Sequence, residues 1–179
     1  MVRLLVPAAS EPGMRSKRSL GSMRHREAAM WTVPQLPPRG SVALVGCVKK
    51  KLSRATSAAD LYVSPLFKRQ REWATARCDR WFILSAKYCL VAPDDVIEPY
   101  ELTLKTLPAA EKRAWSAHVV DQLKRAIGSL DGIYFEIYAG ADYVEFGLIA
   151  GLKAAGGVVA LPWRGLGLGE RIARREYAE

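Results

Sequence analysis

The chain has 179 residues, half of them apolar and a quarter charged, which suits a soluble globular protein with a sizeable core. No apolar run approaches the ~20 residues that a spanning helix needs, and Leu4-Leu5-Val6 is cut off by Pro7, so neither a membrane partner nor a secretory signal is expected. The net charge of +9 is uneven: residues 1–40 carry +5 and leave +4 for residues 41–179, which is compatible with a nucleic-acid partner without demanding one.

Residues 1–40 hold Pro7, Pro12, Pro34, Pro37 and Pro38 among scattered Ser and Arg. They read as a basic, proline-rich extension that does not fold by itself. Such a tail either adds non-specific phosphate affinity or is a dispensable solvated segment. Residues 41–179 read as a single α/β domain.

Val42–Cys47 is a short continuous apolar run, the mark of a strand buried on both faces. Leu61–Arg77 reads as a helix entered through Ser64-Pro65, with Ser as cap and Pro in the first turn. Trp81–Ser85 is a second buried strand. The segment Ala86–Lys105 shows no regular period, and Thr106–Ile127 is the clearest helix, with Gly128 as terminator. Ile133–Ala139 is a third strand, Ala141–Ala154 a helix, Val158–Leu161 a fourth strand and Gly169–Tyr177 a last helix. This alternation implies a three-layer αβα, Rossmann-like fold with a mostly parallel sheet of four to five strands.

A sheet of that kind binds ligands at the carboxyl ends of its strands, near a switch in strand order. Gly46 and Cys47 end the first strand, Ser85 the second and Gly140 the third, while Arg164 follows the fourth. The long segment Ala86–Lys105 hangs over the same edge, and loops of that length are commonly lids or binding loops. Within it, Pro99 holds Glu98 extended and limits the freedom of Glu98 and Tyr100.

Gly46–Lys51 has backbone amides and three lysines that can hold a phosphate, although it is no Walker loop and also reads as a solvated lysine run. Cys47 reads either as a nucleophile or as a buried strand-end thiol. Ser64 reads as a helix cap, with Asp60 and Tyr62 left open. His118 is expected at the core or its boundary. Gly165–Gly169 lacks the GxGxxG spacing and reads as a turn that lets a ligand approach. Cys47, Cys78 and Cys89 are far apart, without a CxxC pair or a nearby His. That argues against a zinc site and fits a reducing cytoplasm. No cofactor is called for.

The segments VALVGCVKKKL, AADLYVSPLFKRQREWA, WFILSAKYCLVAPDDVIEPYELTL and AGADYV together resemble an uncharacterised bacterial and phage domain family of unknown function, over nearly all of residues 42–170. The pattern from Ser85 through Tyr88, Leu90 and Pro93 to Pro99, Tyr100 and Leu102 is also similar, over about 20 residues, to the peroxide-stress protein YaaA. That likeness implies a link to DNA and to oxidative damage. The family usually has Gly after the tyrosine, where this chain has Cys89. If that position needs a positive φ, the cysteine costs about 1 kcal/mol or more.

Two functional readings stay open. In the first, the protein acts on a nucleobase or N-glycosidic bond of a nucleotide or nucleic acid. Glu98 is then the acid/base or cation-stabilising carboxylate, with Asp60 a weaker alternative. Ser85 orients water or substrate, and Lys87 joins the catalytic set. Lys49, Lys87 and Arg164 neutralise phosphate, and Tyr88 or Tyr100 stacks on a base. Gly46, Cys47, Tyr62, Ser64, Gly140 and Tyr143 complete the binding surface. In the second reading, the same edge binds nucleic acid without catalysis, as a stress-protection protein of YaaA type.

Overall fold

The computed structural model describes residues 40–173, all of which fall in one compact unit. The expected extension, apart from Gly40, and the end of the expected final helix lie outside the described residues.

Strand β1 (Ser41–Gly46) is the centre of the sheet. Its side chains alternate between two cores: Val42 and Leu44 face one, Ala43 and Val45 the other, as a strand covered on both faces requires. The chain then leaves the sheet for β2 (Thr56–Ser57) and a one-turn helix α1 (Ala58–Leu61). Helix α2 (Pro65–Arg77) follows. Ser64 caps it, its hydroxyl accepting from the Phe67 amide at 3.1 Å. The single helix expected over Leu61–Arg77 is therefore two helices, separated where Tyr62 and Ser64 are extended.

Strand β3 (Arg80–Ser85) returns parallel to β1, and β4 (Cys89–Val91) runs back antiparallel along it as the sheet edge. Strand β5 (Val96–Ile97) pairs with β2, and a 3-10 turn (Leu104–Thr106) leads to α3 (Ala109–Ile127). Strand β6 (Tyr134–Tyr138) lies on the other side of β1, and β7 (Val158–Ala160) beside it, both parallel. Between them stand α4 (Ala141–Val144) and α5 (Leu148–Ala154), and α6 (Leu168–Ala173) follows β7. The five-stranded order β4-β3-β1-β6-β7 is the mostly parallel α/β sheet expected, with the single antiparallel strand at its edge. Trp115, Val119 and Leu123 of α3 cover one face with Leu148 and Leu152 of α5, while Phe67, Trp73 and Ala74 of α2 cover the other. Among the described residues no helix is long and apolar enough to cross a membrane.

Three expectations are corrected. The segment Ala86–Lys105 is not structureless. It contains β4 and β5 and is pinned to the excursion after β1, where Ala58 and Ala59 amides donate to Asp95 and Pro93 carbonyls at 2.8 and 2.9 Å. The helix expected over Ala141–Ala154 breaks at Gly147, whose φ of 111° a helix interior does not allow. His118 is exposed on α3, because the buried stripe runs through Trp115 and Val119 instead.

Cys89 has φ 62°, the one non-glycine positive φ among the described residues. It sits at the start of β4, directly opposite Ser85. The left-handed region brings its Cβ against the following carbonyl. Cys89→Gly is expected to raise stability by about 0.5–1 kcal/mol, net of the lost packing of a half-buried thiol. Cys89→Val is expected to lower it by more than about 1 kcal/mol, because β-branching makes that conformation worse. Urea midpoints check both, and a glycine variant no more stable than the parent would contradict the account.

Candidate functional site at the carboxyl edge of the sheet

After β1 the chain builds one side of the sheet and then crosses to β6 on the other, so the strand order switches between β1 and β6. Loops diverge at such a point and leave a crevice. Cys47, just after β1, and Tyr143, on α4 just after β6, meet there with sulfur and hydroxyl 3.0 Å apart. Gly46 is needed for this approach: a Cβ would come within 3.0–3.1 Å of Ala139, at the end of β6. Its role is close packing at the strand ends rather than a phosphate turn.

A cavity of about 530 Å³ opens at the switch point, within the ~300–1,000 Å³ typical of small-molecule sites. Cys47, Lys49 and Lys51 form one wall, Tyr143 another, and Glu101, Thr103 and Lys105 a third. Three ammonium groups face one carboxylate, so the crevice concentrates positive potential.

Beneath it lies a chain of buried hydroxyls. Ser85 Oγ donates to the Tyr100 hydroxyl at 2.7 Å and accepts from the Tyr88 amide at 3.0 Å. The Tyr100 and Tyr62 hydroxyls are 3.0 Å apart, and Cys47 also lies against Tyr100. The Ser85 carbonyl is held by the Trp115 indole N–H at 3.0 Å. Lys51 Nζ sits 4.4 Å from the Tyr100 ring centroid and 5.7 Å from that of Tyr62, cation–π contacts that hold its ammonium at the cavity floor.

Burial raises the pKa of these phenols: Tyr62 is pushed up to about 12, and Tyr100 and Tyr143 are raised further. All three are therefore neutral hydroxyls at physiological pH. Burial likewise raises the Cys89 thiol.

Lys112 braces two walls at once. It is buried, donates to Asp142 at 2.7 Å and to the Lys105 carbonyl at 3.5 Å, and so ties α3 to α4 and to the third wall.

The structure brings Cys47, Lys49 and Tyr143 to the cavity, with Tyr62, Ser85 and Tyr100 in the layer below. Ser85 is fully buried, and both lone-pair and proton of its hydroxyl are engaged, so it touches no bulk water. Tyr100 is too buried to present a stacking face, and Tyr88 stands edge-on to it with ring centroids 5.5 Å apart.

The other expected residues lie apart. Glu98 is exposed and outside the cavity wall. Exposed Glu98 and buried Ser85 thus do not share a cavity. Lys87 is exposed, with Nζ 4.8 Å from the Tyr88 ring centroid. Ser64 is occupied as the cap of α2, and Asp60 is engaged by Ser57 and Arg71, whose hydrogen bonds hold its carboxyl below the usual range. Gly140 and Arg164 line a second crevice beyond α4.

Sequence reasoning missed Lys51, as distinct from its neighbours, and Glu101, Thr103 and Lys105. No regular period marks them: Tyr100 and Leu104 are buried, and Glu101, Leu102, Thr103 and Lys105 are all exposed. Among the described residues no group of three or more His, Cys, Asp or Glu is arranged to hold a metal ion.

A family model described as a family of unknown function (DUF6884) matches residues 42–175. The chain belongs to that family. The match takes in every element from β1 to α6, so the cavity and the hydroxyl layer lie wholly inside the DUF6884 domain. No curated protein and no solved structure matches the chain. The expected likeness to YaaA is thus not shown by these comparisons.

Proposed function

We propose that the protein is a nucleotide- or nucleic-acid-linked enzyme acting at the N-glycosidic bond of a phosphorylated nucleoside unit bound in the cavity at the β1–β6 switch point. One observation carries the reading: Lys49, Lys51 and Lys105 converge with a single carboxylate, Glu101, on one cavity above buried neutral hydroxyls.

The ammonium groups supply compact positive charge for phosphate. When the bond from C1′ to the base nitrogen breaks, the base leaves with the electron pair and takes up a proton from solvent, and C1′ becomes cationic. A carboxylate beside C1′ stabilises that cation and takes the proton of the water that forms the new C1′–O bond. Glu101 takes the role that the sequence assigned to Glu98, because it is the carboxylate in the cavity wall. Tyr143 stays protonated and serves as a neutral hydrogen-bond donor.

The test measures base release from nucleoside 5′-monophosphates and from modified or damaged DNA. Glu101→Gln is expected to keep binding and lose turnover by at least about 100-fold, whereas Glu98→Gln leaves turnover within about twofold. Binding by the parent with no base release would assign the edge to the non-catalytic, YaaA-type alternative.

A further inference from the structure

The second crevice, of about 220 Å³, lies between α4, the start of α5 and the chain after β7. We propose that it is a nucleobase pocket with the hydrogen-bonding pattern of guanine. The inference deepens the reading above and rests on it for the ligand being a nucleotide.

Size limits the occupant. A space of about 220 Å³ falls below the ~300–1,000 Å³ that holds a whole drug-sized ligand, and it suits one fused ring system. Its floor is apolar, from Ile137, Val144 and Leu161, as a flat aromatic ring requires. Its charged lining groups are few and of both signs: Glu145, Arg164 and Arg171. Arg171 is held in place through Nε, which donates to the Leu166 carbonyl at 2.8 Å.

None of the three charged side chains is ion-paired among the described residues.

Opposed donors and acceptors select a base. A guanidinium pairs bidentately with O6 and N7 of guanine, and a carboxylate accepts from amino and ring N–H groups such as guanine N2 and N1. Adenine offers an amino donor where guanine has O6, so it meets the guanidinium with the wrong sign. Sites built on such pairing reject the analogue that lacks it.

The two cavities share α4 as a partition: Tyr143 faces the first, while Ala141 and Val144 face the second.

Calorimetric titration of guanosine, adenosine and ribose 5-phosphate tests the assignment. Guanosine is expected to bind at least tenfold tighter than adenosine. Arg164→Ala and the crevice-filling Ala141→Phe, both at exposed positions, are each expected to weaken guanosine at least tenfold and leave ribose 5-phosphate unchanged. Guanosine affinity unaltered in Arg164→Ala, or equal affinity for adenosine, would overturn the proposal. Guanosine bound through the crevice with no lysine-dependent binding of ribose 5-phosphate keeps the pocket and removes the phosphate reading. The reverse pattern removes the pocket alone.

Discussion

Arg77→Leu is expected to lower stability by about 2–3 kcal/mol, the largest effect of any substitution outside the apolar core. Glu136 on β6 is nearly fully buried. Arg77 binds it through two nitrogens at 2.9 and 3.2 Å, and the Tyr138 hydroxyl donates to the same carboxylate. Removing one partner of a buried pair costs about 3–5 kcal/mol, because the remaining charge has lost its compensation. The Arg77 side chain is 44% exposed, so water recovers part of that loss and the lower figure applies.

At ~2–4 °C per kcal/mol for a chain of this size, the melting temperature falls by roughly 5–10 °C. Adding Glu136→Met and Tyr138→Phe removes the uncompensated carboxylate and its donor, and is expected to restore most of the loss. A triple variant no more stable than Arg77→Leu would show that the pair is not the source. The consequence reaches the site, because Tyr138 ends the strand that delivers α4 and Tyr143, and its carbonyl accepts from Gln70 at 2.8 Å.

Stability is expected to be level through neutral pH and to collapse above about pH 10. Tyr62, Tyr100, Tyr138 and Tyr143 all have raised pKa values, chiefly through burial. Below pH 10 both folded and unfolded chains hold these protons, and the contribution is fully present. Above it the unfolded chain releases protons that the folded chain keeps, so stability falls as pH rises, until for Tyr62 the folded group itself titrates near 12. Four such groups give a slope of about 5 kcal/mol per pH unit, enough to exhaust a typical stability of ~5–15 kcal/mol within two or three units. Phenolate absorbance and circular dichroism should therefore change together in one cooperative step. Independent titration of these tyrosines with the fold intact would contradict the buried hydroxyl layer.

The parts of the fold that the sequence made legible are those whose physics is local. VALVG and WFIL are covered on both faces and so read as unbroken apolar runs, and Ser64-Pro65 carries its own cap chemistry. The parts that were not legible depend on distant partners. Strands of two or three residues, such as Thr56–Ser57 and Cys89–Val91, have no period to read and exist because Val96–Ile97 and Ile83–Ser85 pair with them. The break at Gly147 leaves the apolar spacing of its helix undisturbed.

The same division holds at the site. Ser85, Tyr62 and Tyr100 stood out because burying polar groups is costly without partners, and they turn out to be one another's partners. Glu98 was favoured for its rigid neighbour, yet rigidity of the backbone at Pro99 says nothing of which side the carboxylate takes. Glu101 and Lys105 reach the cavity through the path of the chain from Tyr100 to Leu104, two buried anchors whose spacing only the packed structure sets.

The most direct test of the central claim is base release by Glu101→Gln beside the parent and Glu98→Gln, on a nucleoside 5′-monophosphate or modified DNA that the parent turns over. The cavity geometry predicts that Glu101→Gln binds normally and releases base at least about 100-fold more slowly, with Glu98→Gln near the parent rate. Full turnover in Glu101→Gln, or its loss in Glu98→Gln instead, would contradict the assignment of the site.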